Sequence, residues 1–211
     1  DGWGQRGGAG AWIDRDDDVP PVVAEHLGLP METVTMIHER GDLEVNGSDT
    51  ALVNWSVVTH RNPGHSKAAL SAAFEEALGV DSVIWAEGFD PLDGTRGHVD
   101  GMARFIGEDT ILVGDDGGKL MDDVAEQIAT QRPDLTVQRL VSPDASVFLN
   151  FLIGNGFVLV ATSGYAEEDA EAERVLGEAF PGRDIRFVDV STLWENGGGI
   201  HCVTNDQPRL D

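Results

Sequence analysis

The chain has 211 residues, 41% of them hydrophobic, and a formal net charge of −24. That charge repels nucleic acid and anionic membrane and excludes both as partners. One cysteine excludes a disulfide framework or a Cys-rich zinc site, and no apolar run nears the ~20 residues that span a bilayer, so one soluble, cytoplasmic domain over 1–211 is expected. The opening "DGWGQRGGAGAW" lacks the basic start and apolar core of a signal peptide and reads as the middle of something longer. "DDDVPPVVAEHLG" then predicts a helix and "TVTMIHE" a strand. "DLEV" with "NGSDTALV" predicts a hairpin around a Gly-containing turn. The helix "HSKAALSAAFEEALG" follows, capped by Ser66, carrying Leu70, Phe74 and Leu78 on one face and ended by Gly79, and "SVIW" is a strand. The order recurs as "VDGMARF" with "IGEDTILV", helix "KLMDDVAEQIATQ" and strand "LTVQRL". It recurs again as "VFLNFL" with "IGNGFVLV", helix "EEDAEAERVLGEAF" stopped by Pro181 and Gly182, and strand "IRFVDV".

The unit is therefore hairpin, helix, strand in an α/β chain, and a repeat of this length buries its faces against neighbouring copies. The repeat also locates chemistry. Glu39 lies just before the first hairpin, His98 just before the second, and Cys202 is expected to enter the first strand of a last, partial unit. Arranged around an axis, these positions converge; the third hairpin is preceded by "SPDAS", with no obvious catalytic group. A thiolate is a strong nucleophile that needs a base or a positive neighbour at neutral pH. Imidazole moves protons in both directions. In "GHVD", if extended, His98 and Asp100 share one face of a strand. A Cys, a His and two carboxylates suit attack on a planar guanidinium carbon, because carboxylates bind its N–H fork in pairs. The bland alternatives stand beside this: a lone Cys is often a small buried hydrophobe, and "ERGD" can be an ordinary turn. A metal site from His98, His201 and Cys202 is disfavoured, since adjacent His201 and Cys202 would face opposite ways on a strand.

"GGGIHC" (197–202) followed by "VTNDQP" resembles the active-site segment of agmatine deiminases and the related bacterial peptidylarginine deiminases. "GHVD" (97–100), "HRNPGHSK" (60–67), "LNFLIGNGFVLV" (149–160) and "ERGDLEVNG" (39–47) are similar to family motifs in the same order. "DGWG" resembles a segment that places a tryptophan, here Trp3, near the substrate. The resemblance implies a pentein-type α/β propeller of ββαβ units around a pseudo-fivefold axis, incomplete at the N-terminus. It implies that Cys202 attacks the guanidinium carbon and that His98 protonates the leaving ammonia and then activates water. Asp100 and Glu39 would hold the guanidinium, and Gly199 would let backbone approach the reacting centre. No metal or organic cofactor is implied; the partner is a small guanidino substrate. Agmatine, giving N-carbamoylputrescine and ammonia, is the leading substrate, with peptidylarginine or free arginine as alternatives and a non-catalytic binding module as a reading of another class.

Three departures qualify that picture. The family's upstream Arg-Asp motif has no counterpart here. Arg96 replaces the usual Asp in Thr95-Arg96-Gly97-His98, where it would repel a cationic tail and accept a carboxylate. Arg40 replaces the first Gly of Glu-Gly-Gly. A ring lacking one segment exposes strand edges, so lower stability than a longer version, or closure as a homo-oligomer, is expected.

Overall fold

The computed structural model describes residues 18–195 and 197–207. The first helix, α1 (Val19–Leu27), buries none of its residues. Three copies of one ββαβ unit follow. The first holds β1 (Glu44–Val45), β2 (Thr50–Asn54), helices α2 (Trp55–Arg61) and α3 (Lys67–Leu78), and β3 (Ser82–Ala86). The second holds β4 (Ala103–Phe105), β5 (Thr110–Asp115), α4 (Lys119–Gln131) and β6 (Thr136–Val141). A short helix, α5 (Ala145–Leu149), leads into the third: β7 (Leu152–Gly154), β8 (Phe157–Ala161), α6 (Ala166–Ala179) and β9 (Asp184–Val188). Helix α7 (Ser191–Glu195) comes last.

Each unit forms its own three-stranded sheet, a hairpin whose second strand pairs in parallel with the strand returning from the helix. The middle strand of each sheet is covered on both faces, which is why "TALVN", "TILVGD" and "FVLVA" read as near-continuous apolar runs. The helices show the complementary spacing. In α4 the buried residues are Met121, Val124 and Ile128, one stripe at steps of three and four. In α3 Leu70 and Phe74 are buried, Ser66 Oγ accepts from the Ala69 amide at 3.2 Å, and Gly79 ends the helix in the left-handed region.

The register shows how the units correspond. Glu44 faces Leu52 across the first hairpin, Arg104 faces Leu112 across the second, and Leu152 faces Leu159 across the third. Glu44, Arg104 and Leu152 therefore hold one position of the repeat. Strands β1 and β4 touch, and the Asn46 side-chain amide donates to the Glu108 carbonyl at 2.8 Å, tying the first hairpin turn to the second.

Three local expectations fail for identifiable reasons. "TVTMIHE" is not a strand: Val34 and Ile37 are exposed, and the Ile37 backbone is satisfied at both N–H and C=O by the Asn62 side chain, at 2.9 and 2.8 Å, instead of by a neighbouring strand. The first half of "VFLNFL" is helical, because Ala145, Phe148 and Leu149 are the buried residues and that spacing fits α5, and the strand begins only at Leu152. Residues 99–101 form a 3₁₀ turn, so His98 and Asp100 do not alternate along a strand.

Candidate active site

Two of the three hairpins are entered through a 3₁₀ turn, Arg40–Asp42 before β1 and Val99–Gly101 before β4. The residue capping each turn is Glu39 in one case and His98 in the other. The turns pack together, and His98 Nε2 lies 2.5 Å from Glu39 Oε2. The other Glu39 oxygen is ion-paired with Arg61, at the end of α2. The approach needs glycine at Gly41, where a Cβ would sit 2.5 Å from His98 Nδ1 and 2.9 Å from Asp100 Oδ2.

Cys202 lies in a turn after α7, not in a strand as expected. Its thiol donates to Asp100 Oδ2 at 3.1 Å, and the Asn150 side-chain amide donates to Sγ at 3.3 Å. Asn150 Oδ1 accepts from the His201 amide at 2.9 Å, which pins the turn that carries the cysteine. Gly199 allows this contact, since a Cβ there would meet Asn150 Oδ1 at 2.3 Å. The His201 ring is held on both sides: Nδ1 is 3.0 Å from Asp100 Oδ2 and Nε2 is 3.2 Å from Glu44 Oε1. Nδ1 is thus hydrogen-bonded to Asp100, while Nε2 lies within ion-pair reach of Glu44 without a hydrogen bond. Among the described residues, no group of three His, Cys, Asp or Glu is placed to hold a metal ion.

A cleft of about 850 Å³ opens beside these groups. His98, Asp100, Asn150, Gly199 and Cys202 line it, together with the apolar Phe89, Leu92, Met102 and Trp194. Asp90, Asp93 and Asp116 also line it. Arg96 does not: its guanidinium lies over the Phe89 ring, 5.5 Å from the centroid, with a backbone φ of +66°. Arg40 is turned to Asp206 and the Leu43 carbonyl. Glu39 is absent from the lining, and Trp3 lies outside the described residues.

The electrostatics follow from burial and neighbours. Burial pushes the Cys202 thiol up to about 11, and the Asp100 charge adds to this, against the opposing Gly199 backbone and Asn150 hydrogen bonds. Burial also acts to raise Asp100, but the hydrogen bond and charge of His201, with the charge of His98, hold its carboxyl below the ordinary value. Glu39 is likewise held low, with burial outweighed by His98 and Arg61. Asp42, fully buried, is pushed well above the usual carboxylate range by burial and by the charges of Asp100 and Glu39.

Sequence reasoning missed Asn150, although it stands inside the quoted "LNFLIGNGFVLV", because the third unit delivers it from the end of a helix. It also gave no role to Arg61, Glu44 or Arg104, whose partners are distant in the chain.

The agmatine deiminase of Stutzerimonas stutzeri is 28% identical, over 98% of this chain and 67% of its own. A Porphyromonas gingivalis structure provisionally assigned as an arginine deiminase is 30% identical with a TM-score of 0.79, over 99% of this chain and 68% of its own. The Enterococcus faecalis agmatine deiminase structure has a TM-score of 0.83 at 23% identity, over 93% of this chain and 64% of its own, and supports the fold. The chain thus spans about two-thirds of the length of these proteins, and its repeated ββαβ sheets are those of the pentein-type α/β propeller. The model of the Porphyromonas-type peptidyl-arginine deiminase family matches residues 1–208, and the chain belongs to that family.

Proposed function

We propose that this chain is a guanidine deiminase that converts agmatine and water to N-carbamoylputrescine and ammonia in the cytoplasm. The observation that carries this reading is the Cys202–Asp100 contact in the lining of a cleft that also holds His98 and Asn150. In the free protein the thiol stays protonated and donates to Asp100. A guanidinium entering the cleft brings the positive charge that Asp100 and the thiolate both favour, so substrate binding draws the thiol toward its reactive form.

Sulfur then bonds to the guanidinium carbon, and the thiol proton passes to His98. Asn150 and the Gly199 amide offset charge at sulfur while it is a thiolate. His98 gives its proton to an amino group, the C–N bond breaks, and ammonia leaves an amidino-cysteine. Water, losing a proton to His98, attacks the same carbon; the C–S bond breaks and returns the thiol and a ureido product. Glu39 orients His98 from outside the cleft, held in turn by Arg61.

Agmatine is favoured over arginine because Asp90, Asp93 and Asp116 line the cleft, Lys119 in the same lining is paired with Asp123, and Arg96 and Arg40 are turned to other partners. A peptidylarginine substrate is the second reading, favoured by the size of the cleft and the family the chain belongs to. Ammonia release from agmatine, arginine and an arginyl peptide, each beside Cys202→Ala, tests the proposal. Release from agmatine that vanishes in the variant is expected. Binding of all three guanidines without ammonia would replace the enzyme reading with a binding module.

A further inference from the structure

Behind the cleft lies a chain of buried charges that the reaction above does not use. Glu44 and Arg104 hold the same position in the first two units and meet at 2.7 Å, carboxylate Oε1 to Nε. The third unit has Leu152 at that position, so the repeat itself does not require charge there. Glu44 Oε1 also faces His201 Nε2, and His201 Nδ1 faces Asp100 Oδ2, the oxygen that accepts from the Cys202 thiol. Arg104 donates from one guanidinium nitrogen to the Leu149 and Phe151 carbonyls at 2.8 and 2.6 Å, on either side of Asn150. Its guanidinium stacks 4.3 Å from the Phe151 ring centroid. Asn150 closes the circuit by donating to Cys202 Sγ. Every member except the thiol is at least nine-tenths buried, so each interaction operates away from bulk water.

An ion pair of this kind is a poor stabiliser compared with apolar packing, because desolvation offsets most of its attraction. Its placement offers another use. We propose that Glu44, backed by Arg104, is a positioning residue that acts through His201 to hold Asp100 as a charged, correctly aimed carboxylate beneath the substrate. The inference rests on the reading that Asp100 receives a guanidinium. The charged and titratable groups around Asp100 are His201, Cys202, His98 and Asp42; those around Glu44 are His201 and Arg104. Removing the Glu44 charge leaves His201 with one carboxylate instead of two. His201 then supports the Asp100 carboxylate less, and burial pushes that carboxyl upward.

The test compares two alkylators of Cys202, the only cysteine. Chloroacetamidine carries an amidinium that imitates the substrate; chloroacetamide is its neutral counterpart. The ratio of their rates, read by intact mass across pH, cancels the thiolate fraction and reports the charge at Asp100. In the wild type the cationic reagent is preferred, and the preference falls away on the acid side. A wild type without preference would defeat the reading of Asp100 itself. In Glu44→Gln the fall moves to higher pH, and kcat/KM for the guanidine drops roughly 10- to 100-fold, the range for weakening the charge-assisted His201–Asp100 hydrogen bond. Glu44→Asp keeps the charge and shifts the curve only part of the way, which serves if Glu44→Gln does not fold. A Glu44 variant with lowered Tm but the wild-type selectivity curve would overturn the proposal and leave the pair a purely structural role.

Discussion

The first two units and the third place their side chains by different means, and only the second and third reach the cleft itself. In the first two, a 3₁₀ turn feeds the hairpin, and the residue capping it is Glu39 or His98. In the third, the turn is replaced by α5, and the contribution is Asn150 at its end. The sheets behind them keep one topology and one register. The scaffold is therefore repeated, while the side chains that differ sit in the segment leading into each hairpin. On the proposed mechanism, proton transfer rests on His98 of the second unit, oriented by Glu39 of the first, and the dipole aimed at sulfur comes from the third.

Substitutions that strip one side of this division should have unequal effects. His98→Asn keeps a polar side chain but removes the proton carrier, and should lower kcat by roughly 10²- to 10⁴-fold. Asn150→Ala removes one hydrogen-bond donor to sulfur and the acceptor of the His201 amide. A loss near 10²-fold in kcat is expected, with substrate affinity less affected. An Asn150→Ala rate as low as that of His98→Asn would erase the distinction. Gly199→Ala pushes a methyl into Asn150 Oδ1 and should reproduce the Asn150→Ala defect; full activity would show that the turn carrying Cys202 relaxes freely.

Asp42 sharpens the comparison from the stability side. Its carboxyl is raised in the folded protein, so the fold favours its protonated form. Stability is undiminished below the unfolded pKa and falls as pH rises toward the folded value. Asp42→Asn imitates the protonated form, and should raise Tm relative to wild type at neutral pH but not in acid. Equal Tm differences at both pH values would assign the effect to packing. The smallest effect concerns the molecule as a whole. With a net charge of −24, Tm should climb as added salt screens repulsion between carboxylates, and a flat response would mean the charge is already locally balanced.

The repeat was legible because turn glycines, apolar runs and helix stripes recur in one order, and α4 coincides with the quoted segment "KLMDDVAEQIATQ". That Cys202, Asp100, His98 and Glu39 lie near one another was readable from their matching places in the repeat. Their geometry was less so. His98 and Asp100 share the cleft through a 3₁₀ turn, since local hydrogen bonding there overrides the alternation of a strand. The segment 33–39 lost its strand to a side chain, Asn62, whose hydrogen bonds leave no mark on hydrophobic periodicity. Pairs such as Arg61 with Glu39, or Glu44 with Arg104, join residues too far apart for spacing to reveal.

The central claim is that Cys202 forms a covalent bond to the guanidinium carbon. Acid quenching of the protein during turnover of agmatine, followed by intact mass, tests it most directly. The account predicts a transient species heavier by the substrate less ammonia, located on Cys202, absent in Cys202→Ala and formed alongside released ammonia. Ammonia released at the wild-type rate by Cys202→Ala, with no such species, would contradict it.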